Sequence, residues 1–235
     1  MAMDESGAEL VLKWFQDLER RFVTVCDLVP IGGATNEVFL PALSSIILEA
    51  CSLVDTVLRS GLPTKAKRDD ARCEDYARQY EPKFGLGAKR SIIFSYPLET
   101  VIPFRNWYES NTFAAPPWWK AHNKLKHDRI KHFDRSTMRN AIDSLAALHQ
   151  TMAIEPAFLE PLIRHDMLSF RDYAMAYAIE TFRGEHDEPG LFGLIESTIF
   201  ATLVGKQSFP EDPRDANISL IGMGKKLGRH ITRQF

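Results

Sequence analysis

Three of the chain's seven histidines, His122, His127 and His132, fall between Trp118 and Arg139, a segment that also holds Lys120, Lys124, Lys126, Arg129, Lys131, Arg135 and Arg139. Only Asp128 and Asp134 oppose those seven cations, so the segment carries +5 in a chain of net charge −2, and the remaining residues sum to −7. A positive field beside groups that exchange protons near neutral pH suits an anionic ligand. Lysines and arginines would attract a phosphate backbone, a histidine would serve as acid or base, and Trp118 or Trp119 would stack on an exposed base. The alternative for the same residues is a solvated helix face whose tryptophans anchor the core.

Other chemistries find less in the sequence. The three histidines repeat every five residues, about 140° around a helix, so they do not share the face that an i, i+4 metal-binding pair needs. No metal and no cofactor is expected. Cys26, Cys51 and Cys73 are odd in number and form no C-x-x-C, which fits a reduced, cytoplasmic chain. No G-x-S-x-G elbow is present. Gly85-Leu-Gly87-Ala-Lys89 and Gly222-Met-Gly224-Lys225-Lys226 lack the spacing of a phosphate-cradling P-loop and read as turns.

These residues need a scaffold, and the composition supplies one. With 235 residues, 45% hydrophobic and 26% charged, the chain is of the globular class and long enough for a real core. The start, Met1 to Ser6, is acidic where a secretory leader would be basic. The most apolar run, Leu191 to Val204, contains Glu196 and is shorter than the about 20 residues of a spanning helix, so no membrane association is expected.

Hydrophobic spacing predicts the elements. Ser6-Gly-Ala-Glu9 has the form of a capping box, and Leu10, Val11, Trp14, Phe15, Leu18, Phe22 and Val25 follow at helical spacing, giving a helix over roughly 7 to 26. Leu43, Ile46, Ile47, Ala50, Cys51, Val54, Val57 and Leu58 predict a central helix, and Lys65 to Tyr80 a third with Cys73 and Tyr76 inward. The runs Ser91 to Phe94 and Thr100 to Ile102 predict a small β excursion within 81–104. After Pro116 and Pro117, a helix is expected from Trp118 to about Phe133, and a second, capped by Asp134 or Ser136, carries Met138, Ile142, Leu145, Ala146, Leu148 and Met152. Leu162 to Phe182 and Leu191 to Val204 read as two more helices around a polar turn, Gly184 to Gly190, and the tail after Phe209 shows no period. The fold class expected is mainly α: a bundle of about five to seven helices with a small β insertion, residues 1–156 forming the bundle and 157–235 a helical extension with a basic tail.

The string Trp118-Trp-Lys-Ala-His122-Asn123-Lys124-Leu-Lys126-His127-Asp-Arg129, followed by a helix rich in Ala and Leu, resembles the signature helix of HEPN-type helical domains. That resemblance implies a compact helical bundle of the bacterial defence and toxin–antitoxin kind, dimeric, and in many members a metal-independent endoribonuclease. The family motif runs Arg, a polar residue, three to five more, then His. Asn123 matches the polar position and His127 the terminal His, while His122 occupies the Arg position, with Lys120 and Lys126 the nearest cationic substitutes. The resemblance implies that His127 polarises or deprotonates an RNA 2′-hydroxyl, that His122 or a nearby lysine stabilises the phosphorane, and that Asn123 orients the scissile phosphate. Lys120, Lys124, Lys126, Arg129, Trp118 and Trp119 would bind the ligand.

Arg105, Trp107 and Tyr108 would extend such a surface or pack a loop, and the tail cations Lys225, Lys226, Arg229 and Arg233 with His230 would bind nucleic acid or an acidic partner, or simply solubilise the end. Three functions stand at this point: a HEPN-like protein binding RNA or a nucleotide without catalysis, an active endoribonuclease using His127, and a structural bundle that binds a protein partner. The first two carry the expectation of a homodimer.

Overall fold

The computed structural model describes residues 2–63, 69–170, 174–185, 193–215, 224, 226 and 227. The first helix, α1 (Glu5–Cys26), is capped by Asp4, whose side chain accepts from Gly7 N at 2.8 Å. The expected box does not form because the helix begins at Glu5 and places Ser6 inside its first turn; Glu9 instead binds Lys13, Arg164 and His165. Its core stripe is Ala8, Val11, Leu12, Phe15, Leu18, Phe22 and Val25, and Leu10 and Trp14 lie outside it, exposed.

The central helix is α2 (Pro41–Ser60), whose apolar face from Leu43 to Leu58 is buried while Glu49, Ser52 and Thr56 stay exposed on the other side. Among the described residues it alone has the length and mean hydropathy (1.5) of a membrane span, and its apolar side chains are taken up by the protein core. Next comes α3 (Cys73–Phe84), with Cys73 and Tyr76 inward as expected; residues 64–68 of the predicted third helix lie outside the described residues. The next helix, α4 (Pro117–His127), ends before Phe133 because Asp128 leaves the helical conformation and its carboxylate accepts from Lys131 N at 2.9 Å, a local turn that competes with helix. The second central helix, α5 (Met138–Met152), is capped by Thr137, which accepts from Asn140 N. Two short helices, α6 (Leu159–Arg164) and α7 (Ala178–Phe182), complete the seven α-helices among the described residues.

The chain is thus mainly helical, yet it is not a bundle with a small insertion. A five-stranded antiparallel sheet runs in the order β2 (Glu99–Val101), β1 (Ser91–Ile93), β7 (Phe200–Leu203), β6 (Gly193–Glu196), β5 (Leu168–Phe170); β3 (Tyr108–Glu109) and β4 (Thr112–Phe113) form a separate hairpin. The expected helix over Leu191–Val204 is, from Gly193 on, the β6–β7 hairpin, and the one over Leu162–Phe182 is α6, β5 and α7, with 171–173 and 191–192 outside the described residues. For the hairpin the physical reason is burial. Strands β6 and β7 are buried on both faces, so apolar residues fall at successive positions in place of the alternation that marks a half-exposed strand. Ile93, Ile195 and Phe200 face the helices, while Ile92, Leu194, Ala201 and Leu203 face a thin layer made by Phe209 and Leu227. The sheet takes strands from both sides of residue 156, and one continuous core includes residues from α1 to Val204.

Polar residues on α5 tie it to the sheet. Gln150 Nε2 donates to Lys89 O and to Ser91 Oγ, Ser91 Oγ meets Thr202 Oγ1 at 2.6 Å, and Thr202 Oγ1 meets His149 Nδ1 at 2.7 Å. The His149 ring lies between Phe15 and Phe200, and its Nε2 is buried without a partner. Burial, with a lesser push from Lys226, drives its pKa down to about 3. An unfolded histidine binds its proton near pH 6.5, so between about 6.5 and 3 the unfolded state holds more protons and stability falls with pH. His149→Leu should remove that dependence. The stability difference between wild type and variant, from urea melts, should move against the wild type by about 1.4 kcal/mol per pH unit across that window. A difference independent of pH would show that His149 is not held neutral.

Candidate nucleic-acid interface

The position of α4 is set by its tryptophans. Pro117 occupies the first turn, where no N–H is needed, and Trp118, Trp119, Ala121, His122 and Leu125 form the buried face at helical spacing. Trp118 Nε1 donates to Pro103 O at 2.6 Å, and its ring packs edge-on to Phe104 and Trp119. Trp119 in turn meets Tyr76 edge-on at 6.2 Å and lies against the His122 ring. Both rings are therefore core anchors, a correction to their expected place as base-stacking platforms. Trp107 is likewise buried and donates to Glu81, so it packs the loop, while Arg105 is exposed and Tyr108 partly buried.

Anchoring one face fixes what the other presents. Lys120, Asn123, Lys124, Lys126 and His127 are exposed along α4, and Arg129 and Lys131 continue past its end. Lysine and histidine in the last turn also complement the negative end of the helix dipole. Elsewhere Lys13, Arg20, Arg21, Arg59, Arg78 and Arg164 each pair with a carboxylate, often four residues away, while Lys83, Arg90, Arg105 and Arg183, scattered along the chain, lack such a pair among the described residues. Arg135 pairs with Asp134 and Arg139 with Asp143. Lys120, Lys124, Lys126, Arg129 and Lys131 have no carboxylate within 4.0 Å among the described residues. A merely solvated helix face is laced with opposite charges; this one is not.

The histidines separate. His127 sits on the exposed face one turn after Asn123, flanked by Lys124 and Lys126. His122 is turned inward, its Nδ1 3.3 Å from Asn123 Oδ1. Burial lowers its pKa first of all; the Asn123 contact and Asp55 raise it and Lys126 lowers it. Held this way, His122 is not placed to meet a phosphate on the outer face. His132, beyond the end of α4, belongs to neither group. Among the described residues no three His, Cys, Asp or Glu side chains converge as metal ligands.

Two features of the site go beyond the sequence expectations. Asp55 accepts from Tyr76 OH at 2.6 Å and from Arg59 Nη2 at 2.8 Å, forming a polar cluster on α2 and α3 beside His122. The i, i+4 spacing of Asp55 and Arg59 is a readable signal for half of it. The second is a groove between the turn after α4 and the start of α2, lined by Pro41, Ser44, Arg129, Ile130 and Phe133, to which no sequence signal points. The tail cations Lys225, Arg229, His230 and Arg233 lie outside the described residues, while Lys226 Nζ donates to Ser197 O at 2.8 Å and is engaged within the fold.

The chain matches no protein-family model, no curated protein and no solved structure.

Proposed function

We propose that the protein binds single-stranded RNA through the exposed face of α4 and the turn after it, with Lys120, Lys124, Lys126, Arg129 and Lys131 following the phosphate backbone. The observation that carries this reading is their density, five exposed cations within residues 120–131 and none with a carboxylate partner among the described residues, in a chain where the residues outside 118–139 sum to −7. Uncompensated cations in a row attract a polyanion, and release of its counterions supplies affinity without base recognition. The HEPN-like kinship, with a homodimer and a bacterial defence role, belongs to the same proposal and rests on the string 118–129 and the helix after it. The three free cysteines agree with a reducing, cytoplasmic setting.

A second reading, metal-independent cleavage, draws support from the pairing of Asn123 and His127 on one exposed face. With His122 turned inward, a lysine would have to stabilise the phosphorane, and it lacks the two-pronged donor set of arginine. Binding without cleavage is therefore the expected result. Wild type and His127→Ala, each incubated with mixed single-stranded RNA in EDTA, should both bind at low salt and leave the RNA intact. Cleavage by the wild type alone would establish the endoribonuclease; no binding by either would leave a protein-binding scaffold.

A further inference from the structure

The cationic track runs into a groove. Arg129, Ile130 and Phe133, from the turn after α4, face Pro41 and Ser44 in the first turns of α2, around about 350 Å³, a volume at the small end of ligand pockets. Its walls contain groups that the fold leaves unused. Ile130 is 92% exposed, while Phe133 is half-buried and meets Phe39 edge to face at 5.4 Å. Ser44 is 4% exposed, and its hydroxyl has no hydrogen-bond partner. No side chain caps α2, so the positive end of a 20-residue helix opens beside the unpaired Arg129 guanidinium.

An apolar slot with one hydroxyl in its wall and a guanidinium and a helix N-terminus at its rim has the chemistry of a nucleobase joined to a phosphate. A protein partner would need a surface several times larger. We propose that the groove receives one unstacked nucleobase of the strand that α4 tracks, packed between Ile130, Phe133 and Pro41, with its polar edge on the Ser44 hydroxyl and the adjoining phosphate held by Arg129 and the N-terminus of α2. The inference rests on the RNA reading above. It adds a base-dependent component to binding that is otherwise blind to bases. Splayed bases seated on aromatic and apolar side chains are the usual way proteins read single-stranded RNA.

The test compares an oligouridylate with an abasic ribose-phosphate oligomer of the same length and charge, by fluorescence anisotropy. Wild type should bind the base-bearing strand about tenfold more tightly. Ile130→Asn, at an exposed position, and Phe133→Leu, which keeps apolar bulk but removes the ring, should each bring that ratio close to one while leaving abasic binding unchanged. Equal affinity of wild type for both oligomers would overturn the base pocket and leave the backbone reading standing. Failure of both to bind would overturn the two together. Uridine monophosphate competing as strongly as the oligomer would also overturn the proposal, since the groove would then be a free-nucleotide site.

Discussion

Replacing Lys120, Lys124, Lys126, Arg129 and Lys131 together with glutamine should lower the affinity for single-stranded RNA by roughly two to three orders of magnitude at about 0.1 M salt. Each of these side chains is exposed and lacks an ion-pair partner among the described residues, so its removal costs the fold little beyond the dipole complement that Lys124 and Lys126 give the end of α4. Surface substitutions away from special features change stability by about 0.5 kcal/mol or less. The loss should therefore appear in binding and not in the melting curve. Glutamine at Arg20, Arg78 and Arg164, whose charges are already matched by Asp17, Glu74 and Glu5, provides the control and should leave RNA affinity within about twofold of wild type. Equal losses in both sets would mean that net charge, and not the face of α4, determines binding. Gel-shift or anisotropy titration on the two variants decides between these.

Lys89→Met should destabilise the protein by about 3 to 5 kcal/mol in urea unfolding, a large part of what holds a domain together. Lys89 is fully buried, and its ammonium donates to Leu203 O at 2.8 Å, to Gly205 O at 2.7 Å and to Gln207 O, joining the segment before β1 to the chain leaving β7. Burial pulls its pKa down to about 7. Three carbonyls aimed at its three N–H donors oppose that pull by favouring the charged form. Methionine fills the space and leaves all three carbonyls without this donor. The turn it holds has little room to adjust: Gly205 takes φ +67°, its N–H donates to Ala153 O, and a Cβ there would lie 2.1 Å from Thr181 O. A loss below about 1 kcal/mol would show that water or relaxation replaces the ammonium, and that the sheet does not depend on it.

Charge is visible in residue type, so the cations of α4 can be counted from the sequence alone. Helices α2 and α5 are legible there too, because their apolar residues recur at three and four. The fate of Trp118 and Trp119 is not, since an indole suits a core and a base-stacking platform equally well; only the Pro103 carbonyl, met by Trp118 Nε1, and the rings packed around the pair decide it. The sheet is illegible for a different reason. Its central pairing, Ile92 with Ala201, joins segments more than a hundred residues apart, and nothing in either run names the other. Ser44 gives no sign at all, because a serine on a buried helix face acquires meaning only from the Phe133 and Ile130 walls that the chain brings beside it.

Salt reads phosphate contacts directly, because each phosphate that a cation neutralises releases counterions. The affinity of the unaltered protein for an oligouridylate, titrated with sodium chloride from about 50 to about 200 mM, should fall by about a hundredfold, with a slope in the logarithmic plot near −3.5, about −0.7 for each of five neutralised phosphates. The same titration on the five-glutamine variant should be nearly flat. An affinity of the unaltered protein that does not change with salt would contradict RNA binding by α4, because its cations would then have no backbone to neutralise.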